Sequence, residues 1–399
     1  MKNRIPIEGY IDARFKKVKE AFIDNFIEYD EVGAACTIYY RGQKVVDLWG
    51  GFKNDETKEE WDKDTLLLVF SATKGFAALT LAVAHSRGYI DFDERVSTYW
   101  PEFGQNGKED ITVRQLLDHQ AGLCTLERLP IRSPLDLDTI EINEHLAKKT
   151  PEWQPGDYSG YHCWTLGWYI GELIRRVDPK KRKLGTFFQE EIATPLEIEI
   201  YIGLPDSVPS KRIAKLKGID TIPKAIPHIF EAPFKLETQY LWKYSITHKA
   251  IMDEDRELTQ EQFNRRVFQK IELPSANGIG QVRDMAKLYA HILEGGKEIG
   301  LNRSTLQELM GPAQKPRKGF KDKVLQTEVK YRLGFWKPNP TCQFGRSEKA
   351  FGHPGVGGAF CFADPDAEIA YTYAPNKLDL RICNDKRERR IREALYTCI

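Results

Sequence analysis

The sequence predicts an α+β fold in which both chain ends build one antiparallel sheet, helices flank that sheet, and a mainly helical segment is inserted between. Alternating apolar patterns typical of strands occur near both termini, at residues 33–40 and 45–49 and again at 358–363 and 369–374. The middle of the chain carries helical periodicity and helix-capping residues instead. Strands that are far apart in sequence therefore have to pair for the sheet to form.

Domain organisation follows from length and from this pattern. A chain of 399 residues exceeds one average domain. We expect one domain over residues 1–399 with two subdomains. Residues 1–65 and 275–399 are predicted to form the sheet subdomain, and residues 66–274 the mainly helical one.

The N-terminal elements are a helix and a hairpin. Residues 10–29 predict an amphipathic helix whose apolar stripe consists of Phe15, Val18, Phe22 and Phe26. The two strands that follow are joined by Arg41-Gly42-Gln43, which is typical of a hairpin turn.

The middle of the chain predicts several helices. An apolar run, residues 66–70, leads into a helix that begins at Ser71, is apolar almost all round and ends near Gly88, so we expect it to be buried. Residues 112–115 form a capping box that opens a short helix ending near Gly122. Further helices are expected after Tyr161 and from Thr186, and residues 200–270 are expected to be irregular with some helix. In the helix after Tyr161, two small residues are expected to permit close approach to a neighbour: Gly167 and Gly171.

The C-terminal elements complete the sheet. Residues 281–293 predict a helix closed by Gly295-Gly296, and the last two strands flank the turn Asp364-Pro365-Asp366. A charged helix over residues 384–396 closes the chain.

Composition excludes several classes of function. The hydrophobic fraction of 41% and charged fraction of 29% are ordinary for a globular protein, and a net charge of +1 gives no reason to expect nucleic acid binding. No uninterrupted apolar stretch is long enough to span a membrane, and the N-terminus lacks the apolar core of a signal peptide. The seven cysteines are scattered without a Cys-x-x-Cys pair, which argues against a disulfide framework or a zinc site. We therefore expect reduced thiols and a cytoplasmic localisation.

Ser71 and Lys74 are the strongest candidates for chemistry. Their spacing places both side chains over one face at a helix N-terminus. A hydroxyl is a poor nucleophile near neutral pH and needs a base within hydrogen-bond reach, a role that lysine fills when burial keeps it neutral. The same spacing also arises by chance in many chains of this length, so the motif needs partners.

Two later segments can supply those partners. A tyrosine in the run Tyr158 to His162 can relay a proton to a leaving group, although a buried aromatic residue with a satisfied hydroxyl is an alternative. The glycine-rich segment 351–358 can free backbone amides to bind an oxyanion, although a tight turn before an edge strand explains it equally well.

Four other features are better explained by structure than by function. His119 fits a residue that closes a helix, and His353 taken alone fits a structural histidine. The basic run 180–183 fits a solvated loop, and Cys163 fits an inert buried thiol.

Taken together, these segments resemble the serine β-lactamase-related hydrolases, which include class C β-lactamases, D-amino-acid peptidases and esterases with a β-lactamase fold. That family carries a Ser-x-x-Lys pair, a Tyr-x-Asn element and a Lys-Thr-Gly-like triplet. The corresponding segments here are Ser71 to Lys74, Tyr161-His162-Cys163 and His353-Pro354-Gly355. Residues 100–103, 112–123 and 275–278 are also similar, and the likeness runs in the family's order over nearly the whole chain.

The resemblance implies a β-lactamase/transpeptidase-like fold and a set of roles. Ser71 would be the acyl-accepting nucleophile, and Lys74 and Tyr161 would share the general base and acid work. The amides of Ser71 and Val356 would form the oxyanion hole. Three residues of the glycine-rich segment would bind substrate: His353, Gly355 and Gly357. No cofactor or metal is expected.

Two departures from the family pattern bear on the substrate. Cys163 replaces the asparagine that helps to hold a substrate amide, and His353-Pro354 replaces Lys-Thr, which removes a fixed cation. Both point to the esterase-like branch of the family and to small neutral esters or amides as substrates. The alternatives are a β-lactamase or D-amino-acid peptidase, and a non-catalytic scaffold or self-assembling protein that retains the fold.

Overall fold

A computed structural model describes residues 5–126, 140–218, 241–251, 260–379 and 381–399. Its strands, in chain order, are β1 (Ile7–Ile11), β2 (Gly33–Tyr40), β3 (Gln43–Asn54), β4 (Glu59–Glu60), β5 (Leu67–Leu68), β6 (Ile200–Ile202), β7 (Gly278–Gly280), β8 (Lys330–Arg332), β9 (Phe335–Lys337), β10 (Phe351–Pro354), β11 (Phe360–Asp364) and β12 (Ile369–Pro375).

The α-helices of the described residues, in chain order, are α1 (Lys16–Glu28), α2 (Thr73–Ser86), α3 (Val96–Tyr99), α4 (Val113–Leu117), α5 (Ile140–Lys148), α6 (Thr165–Val177), α7 (Leu184–Phe188), α8 (Ile246–Ile251), α9 (Gln260–Asn264), α10 (Arg266–Gln269), α11 (Val282–Leu293), α12 (Arg303–Met310) and α13 (Lys386–Tyr396). A π-helical turn, Gln189–Ala193, extends α7.

The main sheet joins the two chain ends, as predicted. It is nine-stranded, with the order β1-β3-β2-β12-β11-β10-β9-β8 and with β4 paired to β3, and every pairing is antiparallel. The junction is the pair β2–β12, in which Tyr40 faces Ile369 and Ala34 faces Pro375. The predicted α+β fold, with a sheet built from both termini, is confirmed.

Helices cover both faces of this sheet. Because side chains alternate along a strand, Ala34, Cys36 and Ile38 of β2 face the cluster that contains α1 and α13. Ala35 faces the other way, into the cluster that contains Met285 of α11. The predicted apolar stripe of the first helix is buried, with Phe15 just before α1 and Val18, Phe22 and Phe26 within it.

The central helix α2 carries the chain away from Ser71. All of its residues from Thr73 to Ala84 are buried, as the apolar sequence predicts. The helix begins at Thr73, so Ser71 lies in the turn before it rather than in its first turn. Gly75 allows close packing here, because a Cβ at that position would lie 2.4 Å from the hydroxyl oxygen of Tyr289 in α11.

A small sheet fixes the approach to this turn. It is three-stranded with the order β5-β7-β6, and Leu67 of β5 faces Gly280 of β7. The amide of Val69 donates to the carbonyl of Gly278 at 3.0 Å, which extends the pairing almost to Ser71. Strand β6 lies in the segment predicted to be irregular with some helix, so that prediction is incomplete. Residues 219–240 and 252–259 of the same segment lie outside the described residues.

Several local predictions are confirmed and others need correction. The capping box is present, with Thr112 and Gln115 bonded reciprocally. Gly167 does make a close approach, because its Cβ would lie 2.4 Å from the amide nitrogen of Ser275. Gly171 faces open space, so the same prediction is wrong there. The helix predicted from Thr186 begins two residues earlier, at Leu184.

The cysteines also need correction. Cys342 and Cys383 form a disulfide, so the expectation of reduced thiols is wrong for this pair. The other cysteines of the chain, at positions 36, 124, 163, 361 and 398, are free. Among the described residues, no helix is long and apolar enough to cross a membrane. The subdomain boundaries 1–65, 66–274 and 275–399 stay a prediction.

Candidate active site

Ser71 is presented by a constrained turn. The preceding residue, Phe70, has φ of 46°, a left-handed conformation that is unfavourable for a bulky side chain. Thr73 holds this conformation, because its amide and its hydroxyl both donate to the carbonyl of Phe70, at 2.9 and 2.5 Å. Ser71 is 9% exposed, so its hydroxyl lies at the edge of the buried interior.

Lys74 lies beneath Ser71 and is fully buried. Its Nζ is 3.1 Å from Ser71 Oγ, 2.6 Å from the carbonyl oxygen of Cys163 and 2.9 Å from that of Ser275. Burial lowers the pKa of Lys74 to about 8. A neutral amine has two N–H bonds and one lone pair. In the neutral form, the two carbonyls would accept from these N–H bonds, and the lone pair would face the Ser71 hydroxyl.

Tyr161 closes the other side of the same space. Lys74 Nζ lies 5.0 Å from the centroid of its ring, and its hydroxyl is buried without a hydrogen-bond partner among the described residues. Burial raises the pKa of Tyr161 well above its usual value. The nearby Ser71 hydroxyl acts in the opposite direction, but it lowers this pKa by less than burial raises it. The phenol therefore stays protonated, and it can donate a proton but not act as a phenolate base.

His353 lies next to Tyr161, with 6.0 Å between the ring centroids, and is fully buried. Burial and the nearby Lys74 hold its pKa well below the usual range, so the ring is neutral. Its Nδ1 is 2.7 Å from the carbonyl oxygen of Pro354, which requires the proton on Nδ1. Nε2 is then a buried acceptor, and it has no partner in the described part of the chain. A neutral ring thus lies where the family resemblance implies a lysine.

The glycine-rich segment packs directly against the Ser71 turn. A Cβ on Gly355 would lie 2.3 Å from the carbonyl oxygen of Val69 and 3.3 Å from the amide nitrogen of Ala72, so only glycine permits this contact. Val356 follows and is 36% exposed. Within the described chain, the amides of Ser71 and Val356 donate no backbone hydrogen bond. Gly357 has φ of 97°, which turns the chain back toward β11.

Two residues that the sequence did not assign to the site belong to its surroundings. The sequence predicts that His119 closes a helix, and its amide does bond to the carbonyl of Leu116 at 3.2 Å. Its ring, however, lies 5.2 Å from the ring of Tyr161. The His119 Nδ1 accepts from the amide of His162 at 3.0 Å, which helps to orient the segment carrying Tyr161.

Asp322 is the second residue. Its Oδ1 accepts from the amide of Tyr161 at 3.2 Å, and its Oδ2 accepts from the hydroxyl of Tyr331 at 2.8 Å. It is fully buried, and no local motif marks it in the sequence.

Two further candidates from the sequence, Cys163 and the basic run 180–183, have environments that fit a structural role. Burial raises the pKa of the Cys163 thiol, although Lys74 opposes this, so the thiol is not activated. The basic run 180–183 forms part of the α6–α7 connection, where Arg182 bonds to Asp178 at 2.8 Å. Among the described residues, no group of three or more His, Cys, Asp or Glu side chains is arranged to hold a metal ion.

Comparisons with known proteins identify the family and support the fold. The sequence model of the Beta-lactamase family matches residues 14–396. The esterase/beta-lactamase LipL of Mycobacterium tuberculosis is 31% identical over 380 residues, which cover 93% of this chain and 83% of that protein. The crystal structure of a family VIII carboxylesterase superposes with a TM-score of 0.85 at 34% identity, covering 99% of this chain and 100% of the other. EstA from Arthrobacter nitroguajacolicus Rue61a superposes with a TM-score of 0.81 at 28% identity, over 98% and 97% of the two chains.

The fold and the match over nearly the whole chain define the class of protein. The chain belongs to the β-lactamase family and is a serine-type hydrolase. Its similarity to proteins named as esterases supports the esterase-like branch, which the sequence predicts.

Proposed function

We propose that this protein hydrolyses small neutral esters through an acyl-enzyme on Ser71. The observation that carries the proposal is the environment of Lys74. Two backbone carbonyls accept from its nitrogen, Ser71 Oγ lies 3.1 Å away, and burial brings its pKa to about 8. An amine with this pKa is partly neutral near neutral pH and can take the proton of the serine hydroxyl.

The reaction would proceed in two halves. In the first half, Lys74 takes the proton of Ser71 Oγ as that oxygen attacks the ester carbonyl. The amides of Ser71 and Val356 donate to the oxyanion. The bond to the alcohol oxygen then breaks, and this oxygen receives the proton of the Tyr161 hydroxyl, which Lys74 replenishes. In the second half, Lys74 takes a proton from water as the water oxygen attacks the acyl carbonyl. The bond to Ser71 Oγ then breaks, this oxygen receives the proton of the Tyr161 hydroxyl, which Lys74 replenishes, and the carboxylic acid leaves.

The preference for neutral substrates rests on His353. In the family, the corresponding position carries a cation that helps to bind the carboxylate of a β-lactam. Here burial holds the pKa of His353 well below its usual range, so the position is neutral near neutral pH. His353 and Gly355 would contact the substrate through the neutral Nε2 and the backbone, and Gly357 would shape the turn.

The test compares p-nitrophenyl butyrate hydrolysis by the wild-type protein and by Ser71→Ala. We expect the variant to lose at least about a thousandfold in kcat/KM, because the nucleophile is absent. Ser97→Ala is the matched control, since the Ser97 hydroxyl donates to the carbonyl of Glu109 at 3.2 Å in an exposed position. Full activity in Ser71→Ala would contradict the assignment. Failure of a fluorophosphonate to label Ser71 in the folded protein would favour the non-catalytic scaffold.

A second candidate function is β-lactam hydrolysis. The observation in its favour is the similarity to a protein named esterase/beta-lactamase, which covers 93% of this chain. Turnover of nitrocefin at a higher kcat/KM than that of p-nitrophenyl butyrate would favour this function over ester hydrolysis. We expect the opposite order, because the cation that binds the carboxylate is replaced by neutral His353.

A further inference from the structure

A buried arginine of helix α13, Arg387, bonds to the turn formed by Gly355 to Gly358, which we call the glycine turn. Nη2 of Arg387 donates to the carbonyl oxygen of Gly357 at 3.1 Å, and Nη1 donates to the carbonyl oxygen of Lys377 at 2.8 Å. The side chain of Arg387 is 5% exposed. Gly357 directly follows Val356, whose amide is assigned to the oxyanion hole under the proposed function.

Two buried carboxylates fix the guanidinium group in this position. Glu31, between α1 and β2, accepts from Nη1 at 3.0 and 3.1 Å. Asp385 accepts from Nε at 3.0 Å and from Nη2 at 2.6 Å. Tyr373 donates its hydroxyl proton to Glu31 at 2.6 Å. A planar guanidinium group with all five N–H directions fixed by partners has one orientation, which lysine cannot reproduce.

The guanidinium group of Arg387 stays charged in this cluster. Burial acts to raise the pKa of Asp385, but Arg387 outweighs burial and keeps that pKa below its usual value. Burial raises the pKa of Glu31, and Arg387 opposes this. The pKa of Arg387 is raised well above its usual value, because both carboxylates outweigh its burial. The guanidinium group therefore remains a permanent donor to Gly357.

The glycine turn packs closely between this cluster and the Ser71 turn. On one side, a Cβ on Gly355 would lie 2.3 Å from the carbonyl oxygen of Val69. On the other side, a Cβ on Gly358 would lie 2.6 Å from Oδ2 of Asp385 and 3.1 Å from Nη2 of Arg387. The turn is thus in contact with the Ser71 segment on one side and with Arg387 and Asp385 on the other.

We propose that Arg387 is a positioning residue for the reaction at Ser71: by holding the Gly357 carbonyl, it fixes the orientation of the Val356 amide toward the oxyanion. The proposal rests on the proposed function. Gly357 and Gly358 have φ of 97° and 106°, conformations that glycine adopts readily. The peptide unit whose carbonyl Arg387 holds also donates, through the Gly358 amide, to the carbonyl oxygen of Gly355 at 3.3 Å. That carbonyl belongs to the same peptide unit as the Val356 amide. A displacement of about 1 Å of an oxyanion donor can cost about a hundredfold in rate.

The test separates positioning from stability. Arg387→Met is compared with Arg392→Met, which removes another buried arginine from the same helix. Arg392 bonds to Glu388 at 2.8 Å and to the carbonyl of Gln343, so its loss also leaves a buried carboxylate. Among the described residues, none of the hydrogen bonds of Arg392 is to the glycine turn. Both variants should unfold at lower temperature than the wild type. Assayed well below those temperatures, Arg387→Met should lose about tenfold to a hundredfold in kcat for p-nitrophenyl butyrate with little change in KM, and Arg392→Met should retain kcat.

Arg387→Lys is the second test variant. It distinguishes a positioning role of Arg387 from a purely stabilising one even if Arg387→Met does not fold. The lysine keeps a cation between Glu31 and Asp385 but cannot also reach Gly357, so it should recover much of the thermal stability and little of kcat. Equal kcat in Arg387→Lys and the wild type, or kcat losses in Arg387→Met and Arg392→Met that are the same, would overturn the proposal.

Ser71→Ala separates this result from a failure of the proposed function. If the wild type is active, Ser71→Ala is inactive and the Arg387 variants retain kcat, the positioning role is wrong while the function stands. If Ser71→Ala retains activity, the proposed function itself is wrong.

Discussion

Nζ of Lys74 lies 3.1 Å from Oγ of Ser71 and is held there by the carbonyl oxygens of Cys163 and Ser275. The lysine has a depressed pKa because it is buried, and its contacts are to neutral groups rather than to a carboxylate. A salt bridge would have stabilised the ammonium form and removed its capacity as a base. The site thus combines a nucleophile and a base in one turn of chain.

The first prediction concerns pH. Because burial brings the pKa of Lys74 to about 8, from an ordinary value of 10.5, the neutral amine accumulates as pH rises through about 8. We expect kcat/KM for p-nitrophenyl acetate to increase with pH and to level off above about 9. Lys74→Met should lose at least about a hundredfold and should lack this rise. A pH profile that is flat from 6 to 10 after subtraction of spontaneous hydrolysis would be incompatible with Lys74 as the base.

The second prediction concerns Tyr161. Its buried hydroxyl has no well-formed hydrogen bond among the described residues, and nearby Ser71 keeps its bond to Lys74, so Tyr161→Phe leaves no polar group newly unsatisfied. We expect the thermal unfolding temperature to stay unchanged or to rise slightly. The kcat should fall by about 10² to 10⁴, because the proton donor to the leaving group is lost.

Tyr331→Phe is the control for that prediction, and the opposite pattern is expected. Its hydroxyl donates to buried Asp322 at 2.8 Å, so its removal should cost about 1–3 kcal/mol of stability with a smaller effect on kcat. If Tyr161→Phe retained wild-type kcat, Tyr161 would be a buried packing residue without a catalytic role.

The third prediction compares two glycines. Gly355→Ala would place a Cβ 2.3 Å from the carbonyl oxygen of Val69, so the glycine turn must move away from Ser71. We expect kcat to fall by about a hundredfold, as measured with p-nitrophenyl butyrate. Gly171→Ala places its Cβ in open space within α6, so it should retain activity and raise stability by up to about 1 kcal/mol. Equal activity of the two variants would show that the contact between Gly355 and Val69 does not shape the site.

The fourth prediction concerns the disulfide between Cys342 and Cys383, which closes a loop across a sequence separation of 41. Peptide mapping without reduction should find these two cysteines linked, and Cys342→Ser should lower stability by about 2–4 kcal/mol. Cys398→Ser is the control, since that cysteine is free. Disulfides persist in oxidising compartments, so a linked pair in protein taken directly from its native cells would count against the predicted cytoplasmic localisation. Alkylation of both Cys342 and Cys383 in that protein would instead support the predicted cytoplasmic localisation.

The sequence predicted those features that depend on local patterns. The capping box of Thr112 and Gln115, the buried α2 and the hairpin of β2 and β3 each follow from residues close in sequence. The spacing of Ser71 and Lys74 was equally local, and the family resemblance supplied the order of the later segments.

Features that depend on distant contacts were not predictable in this way. Asp322 accepts a hydrogen bond from the amide of Tyr161 across a separation of 161 residues, and no sequence pattern near Asp322 predicts that contact. Gly167 and Gly171 are four residues apart in one helix, but a neighbour approaches only the first, because the Ser275 segment crosses α6 there. The ring of His119 lies 5.2 Å from that of Tyr161, and His119 has φ of 58° just after its helix, a conformation that its sequence position does not reveal.

The central claim is that Ser71 carries the acyl group, and trapping the intermediate tests it most directly. The protein is mixed with p-nitrophenyl butyrate, quenched with acid within the burst, and digested for mass spectrometry of the peptide containing Ser71 and Lys74. The account predicts that this peptide gains one butyryl group on Ser71 and that Ser71→Ala gains none. A butyryl group found on another residue, such as Cys163, with Ser71 unmodified while turnover proceeds, would contradict it.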